Sequence, residues 1–140
     1  MNKEEFVKEN VKQYYWSEDI NCTTTTLKVL AKYFNITLDE QLIDGAVGMH
    51  GAGEYGAQCG LVDAVLIFLG IYGRKRNIAK DDIILYCHEF ARQFEEKFKS
   101  LQCSTLRPEG FNSSNPPHLC ESLTCNVIEF SMQYISRIKV

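Results

Sequence analysis

Apolar positions in this chain recur at steps of three and four, the period of an α-helix, in several separate segments. Val7, Val11 and Tyr14 or Tyr15 alternate with lysines and glutamates, which predicts an amphipathic helix from about Lys3 to Trp16; Ser17-Glu18-Asp19 breaks it. Leu27, Leu30, Ala31 and Phe34 share one face of a second helix, with Cys22 in its first turn and Asn21 or Asp19 as cap. The run Thr23 to Thr26 is a poor helix former, so tertiary packing must hold it. A short strand is the alternative there, disfavoured by the helical pattern downstream. A short helix through Leu42, Ile43 and Ala46, capped by Thr37 or Asp39, leads into a glycine-rich stretch. From about Ala79 to Leu101 a long helix carries Ile83, Cys87, Phe90, Phe94, Phe98 and Leu101 as one stripe, with Asp81 and Asp82 at its start and Lys97 and Lys99 at its end, as the helix dipole favours. Gln102 to His118 loses periodicity and holds Pro108, Gly110, Pro116 and Pro117, an extended loop. A last helix covers about Leu123 to Ile138, with Val127, Phe130 or Ser131, Tyr134 and Ile138 facing in and Cys125 in its first turn.

The segment between the second and the long helix organises the rest. Gly48 to Gly60 holds five glycines and reads as loop. Leu61 to Gly73 is apolar on every side, so it predicts a helix buried on all faces, and it is too short to span a bilayer. Asp63 is the only charge between Cys59 and Gly73. Cys59 stands where loop becomes helix; free N–H groups and the positive end of the helix dipole meet there, and both favour a thiolate. With no repeat and no convincing strand, the class is all-α: one domain, residues 1–140, of about five or six helices around a buried central helix.

Composition narrows the partners. A chain of 140 residues, 45% hydrophobic, buries a core without disulfides. Its net charge of −3 is interspersed, and no Lys/Arg cluster suits nucleic acid or anionic lipid. Arg74-Lys75-Arg76 reads as a solvated turn. The N-terminus lacks the apolar run of a signal peptide, so a cytoplasmic location is expected. Six cysteines in a reducing compartment suggest metal or redox chemistry rather than structural bridges. Monomer and homo-oligomer both stay open.

Cys22, Cys59 and Cys125 fall in first turns of predicted helices, and Cys103 follows the end of one. Thiols at helix starts ionise most easily, and a group of such thiols at one pole would hold a soft metal or an iron–sulfur cluster, or form a switchable disulfide. The expectation is that Cys22, Cys59, Cys103 and one of Cys120 or Cys125 converge. Cys87 lies in the packed stripe and reads as core. His50 and His118 are candidate ligands or bases, with a solvated loop position favoured for each. The glycine loop is no phosphate loop, since no Gly-Lys-Ser/Thr follows and no strand precedes it. Asp63 lies one turn beyond Cys59 on the same face. In an apolar helix its carboxylate needs a partner: a core cation, a tyrosine or a capping N–H, or, more pointedly, a metal or the Cys59 proton.

An early cysteine in Asn21-Cys22, a glycine-rich loop, Cys59-Gly60 heading an apolar helix, a phenylalanine-rich helix ending in Cys103 and a late cysteine before the last helix together resemble the C_GCAxxG_C_C family, described as redox-active proteins. The resemblance covers about Asp19 to Ile135. The GCAxxG core stands here as Gln58-Cys59-Gly60-Leu61-Val62-Asp63, where only the cysteine matches. By position Cys22, Cys59 and Cys103 match the first three motif cysteines. The fourth is Cys120 or Cys125, with Cys125 preferred because the last helix follows it. The resemblance implies a thiol-based redox role or a metal or iron–sulfur cluster role, with an electron partner that the sequence does not name. Two other classes stand beside it. One is a cysteine-nucleophile enzyme, with Cys59 attacking, His50 or His118 as base and helix-start N–H groups as oxyanion donors. The other is a helical interaction module with inert thiols.

Overall fold

The computed structural model describes residues 1–139. Their elements are α1 (Lys3–Lys12), a π-helical turn (Gln13–Ser17), α2 (Cys22–Tyr33), α3 (Glu40–Gly45), α4 (Gly51–Glu54), α5 (Gly60–Lys75), α6 (Lys80–Phe98), α7 (Cys103–Leu106) and α8 (Glu121–Ser136). The class is all-α, with no strand among the described residues and a single β-type bridge between Gln58 and Gln102.

The apolar helix α5 is the centre. It packs on α2, α6 and α8, while α1 lies against α8 and α2. No residue from Gly60 to Gly73 is exposed. Leu61, Val65, Phe68 and Leu69 of α5 meet a core that includes Leu27, Leu30, Phe90, Phe94, Ile128 and Met132. Each such side chain contributes roughly 1.5–3 kcal/mol when withdrawn from water, which fixes α5 ahead of any local propensity. Propensity is overruled outright in α2. Thr23 to Thr26 are all buried, and the helix starts there because the Asn21 side chain accepts from the Thr24 N–H at 2.9 Å. The Thr25 and Thr26 hydroxyls have no partner among the described residues.

Element boundaries depart from the periodicity in three places. The first helix ends in the π-helical turn that carries Tyr15 inward. The long helix stops at Phe98 because Lys99 turns to φ +77°. The last helix starts at Glu121, two residues before the expected Leu123, so Cys120 rather than Cys125 stands at its head. Within the glycine loop, Gly51, Ala52, Gly53 and Glu54 all have positive φ, from +55° to +68°. They form one left-handed turn, which costs about 1–2 kcal/mol at each non-glycine position.

Candidate functional site

One cavity of about 290 Å³ opens where the starts of α2, α5, α7 and α8 meet. Cys22, Cys59, Cys103 and Cys120 line it, one from each of those four helix starts.

Local hydrogen bonds explain the convergence. The start of α2 is tied to the glycine loop: Asn21 Nδ2 donates to Val47 O at 2.7 Å and Thr23 Oγ1 to Met49 O at 2.8 Å. The start of α5 comes so close to these that a Cβ on Gly60 would lie 2.7 Å from Met49 O and would also strike the Thr23 hydroxyl. Only glycine allows that approach, and it sets Cys59 beside Cys22. Cys103 arrives through the bridge: Cys59 N–H donates to Leu101 O at 2.8 Å and Cys103 N–H to Ala57 O at 2.7 Å. Cys120 ends the proline-containing loop. That loop is held by His118, whose ring stacks on Tyr15 at 4.6 Å and meets Trp16 edge-on at 5.0 Å.

Burial dominates the acid–base character. It pushes the Cys22 thiol up to about 12, with an ionised Cys59 adding most among its neighbours. It pushes Cys59 up to about 11 against the N–H groups of Leu61 and Val62, which pull the other way, while Cys103 and Cys120 add to the rise. This corrects the expectation of a ready thiolate at Cys59: the helix start does act on the sulfur, but desolvation outweighs it. Cys103 is raised by burial and then by Cys120, with the Arg107 guanidinium opposing. All six cysteines are free thiols.

The remaining walls hold two histidines, each with a carboxylate. His118 Nε2 is 3.0 Å from Asp19 Oδ1, and His50 Nε2 is 3.5 Å from Glu54 Oε1. His50 Nδ1 also lies 3.3 Å from Asn21 Nδ2. Both were expected as solvated loop residues, yet both line the cavity because the left-handed turn and the stacked loop fold inward. Neither ring hydrogen-bonds a cysteine sulfur among the described residues. Arg107 was not anticipated. Its Nη1 is 3.9 Å from Cys120 Sγ, its Nε donates to Gly110 O at 2.8 Å, and its guanidinium lies 4.1 Å from the Phe111 ring centre. The available signal was that it is the only Lys or Arg between Ser100 and Cys120.

Two candidates lie elsewhere, and Cys87 reads as core. Cys125, preferred above as the fourth motif cysteine, does not line the cavity. It is buried in the second turn of α8, its thiol pushed up to about 11 by burial and then by Glu121 and Glu129, with Lys8 opposing. The early start of α8 turned it away. Asp63 does not line the cavity either; its partner is the Gln58 side-chain amide, neither a cation nor a thiol. Half-burial raises its pKa and the Gln58 bond lowers it. Cys87 is half-buried against the core, its Sγ 3.9 Å from Leu66 O. Among the described residues no three His, Cys, Asp or Glu side chains are disposed to hold one metal ion, and no helix is long and apolar enough to cross a membrane.

An all-α domain with four thiols on one cavity is the architecture of a cysteine-motif helical protein. Residues 20–134 match the family described as C_GCAxxG_C_C, putative redox-active protein, and the chain belongs to that family. No curated protein and no solved structure matches the chain.

Proposed function

We propose that this protein exchanges electrons two at a time between thiols of the cavity and a disulfide-bearing substrate. The observation that supports this is the convergence of Cys22, Cys59, Cys103 and Cys120, from four separate helix starts, on one cavity. Two protein thiols are oxidised to one intramolecular disulfide. The substrate S–S bond breaks, and its two sulfurs leave as thiols carrying the two protons. A dithiol reductant then restores the protein.

The donor set favours a second reading. Sulfur ligands select soft metals and iron–sulfur clusters, and Cys22, Cys59, Cys103 and Cys120 are the residues that would hold one. The side chains would have to close in further, because no three of them are disposed around a metal position here. The thiol reading therefore comes first.

The test is oxidation of the reduced protein with a small disulfide, followed by peptide mapping under non-reducing conditions. An intramolecular disulfide between two of the four cavity cysteines, reversed by dithiothreitol, is the expected result. Free thiols at all four positions after oxidation would overturn it. Anaerobic purification with metal analysis and a visible spectrum separates the two readings: stoichiometric metal or a cluster absorption band favours the second.

A further inference from the structure

Resting on the exchange reading above, we infer that Cys120 is the attacking thiol, that Cys103 resolves it, and that Arg107 recognises a carboxylate on a small disulfide substrate. Three observations carry this. First, of the four thiols only Cys120 has a cation against its sulfur: Arg107 Nη1 is 3.9 Å from its Sγ. That contact puts the guanidinium where it can hold an anionic substrate against this sulfur. Cys59 and Cys103 are buried, whereas Cys120, like Cys22, is partly open to solvent, and of these two only Cys120 lies against a cation.

Second, Cys103 and this arginine belong to one short element. Cys103 heads α7 and Arg107 closes it, its backbone N–H donating to Cys103 O at 2.7 Å while its side chain reaches across to Cys120. Cys103 and Cys120 thus line the same cavity with Arg107 linking their elements.

Third, the cavity holds one guanidinium with donors to spare. Asp19 and Glu54 each lie against a histidine, and Arg107 makes no ion pair among the described residues. Its Nε is taken by Gly110 O and one face by the Phe111 ring, so the fork is held in place with donors left over. A fixed fork of this kind suits a carboxylate. A cavity of about 290 Å³ is at the small end of small-molecule sites. The occupant is therefore a low-molecular-weight disulfide bearing carboxylates rather than a folded domain.

The chemistry runs in two displacements. The Cys120 thiolate attacks one substrate sulfur, the substrate S–S bond breaks, and the first half leaves and takes up a proton. Cys103 then gives up its proton and attacks the Cys120 sulfur of the mixed disulfide. The second half leaves as a thiol, and Cys103 and Cys120 end as one disulfide.

The test uses the full chain and two probes, dithiodipropionate, which carries carboxylates, and bis-hydroxyethyl disulfide, which is uncharged. In Cys103→Ser the mixed disulfide should stall, and mapping should place the adduct on Cys120. The wild type at low salt should react with dithiodipropionate about tenfold faster than with the neutral probe. Arg107→Gln should bring the two rates close together. Arg107→Lys, which keeps the charge, should retain most of the preference and separates lost charge from lost packing on Phe111. A first adduct on Cys22 or Cys59, or a preference unchanged in Arg107→Gln, would overturn the assignment. An intramolecular disulfide reached by another route would leave the exchange reading standing and sink this inference alone; no adduct and no disulfide at any of the four thiols would sink both.

Discussion

Gly51 lies so close beneath Cys103 that a Cβ added to it would fall 2.9 Å from the Cys103 Sγ. The same glycine has φ +68°, so a side chain there is penalised twice, by backbone conformation and by the sulfur. It is the first of the four left-handed residues that turn His50 and Glu54 toward the thiols. Gly51→Ala should therefore cost roughly 1–3 kcal/mol in urea unfolding and should change the alkylation rate of Cys103. Gly45→Ala is the control. It ends α3 with nothing within 4 Å of the added atom, and its effect should stay within about 1 kcal/mol, on the stabilising side. Equal effects at the two sites would remove the special position of Gly51.

Cys22 and Cys59 should make the protein alkali-sensitive. An unfolded thiol ionises near its ordinary 9.0, whereas the folded ones wait until about 12 and about 11. Between those values the unfolded chain has released protons that the folded chain still holds. Their contribution is thus fully present below pH 9 and is lost as pH rises toward 11 and 12. The slope is at most about 1.4 kcal/mol per pH unit for each thiol. Buried Tyr15, also raised by burial, acts in the same direction. The melting temperature should fall between pH 9 and 10.5, and the Cys22→Ser/Cys59→Ser double variant should show a shallower fall. Alkylation of Cys59 by iodoacetamide should rise about tenfold per pH unit across this range. A flat rate would mean that Cys59 is already ionised.

Much of this fold could be read from apolar spacing. The stripe from Ile83 through Phe94 and the all-round burial of α5 are consequences of period and composition, and burial energy enforces both. The cap at Asn21 and the position of Cys59 at a helix start were legible for the same reason: short polar and glycine-rich signals adjoin a periodic run. What could not be read depends on backbone conformation and burial, which apolar spacing does not report. The left-handed turn at Gly51–Glu54 is held by backbone bonds such as Glu54 N–H to His50 O at 2.9 Å, which no periodicity reports. That Cys120 and not Cys125 lines the cavity goes with a start of α8 two residues before the one periodicity gives. The ionisation of Cys59 was misjudged because a helix end is visible in sequence and the desolvation around it is not.

Asp63 illustrates how a local contact can hide in this way. Gln58, its partner, is only five residues back, but its orientation follows from the bridge to Gln102. Since burial raises the Asp63 pKa, the folded state favours the protonated carboxyl. Its contribution to stability is present below the ordinary 3.8 and is lost as pH rises through the folded value. At pH 7 the ionised group carries a small net cost that Asn would not. Asp63→Asn should thus change stability by less than about 1 kcal/mol, toward stabilisation, with Gln58 still paired. Thiol alkylation rates at the cavity should not move. A change in the pH dependence of Cys59 alkylation would bring Asp63 back to the thiol site.

Cys120 and Cys125 stand five residues apart at the head of α8, and the structure assigns them opposite consequences on substitution. Cys125 is buried away from the cavity among core side chains, and Cys125→Ala opens a small void. Removing a buried sulfur of this size should cost about 1–2 kcal/mol, seen as a lower urea midpoint, with cavity disulfide formation unchanged. Cys120 is partly exposed, and its sulfur meets Arg107 rather than the core. Cys120→Ser keeps the hydrogen-bonding capacity and nearly the volume, so stability should move by less than about 0.5 kcal/mol. The same change removes a sulfur from the cavity and should abolish its share of oxidative disulfide formation. Thiol counts and unfolding curves on the two variants decide the matter together. Destabilisation without redox loss in Cys120→Ser, with the reverse in Cys125→Ala, would favour Cys125 as the fourth motif cysteine.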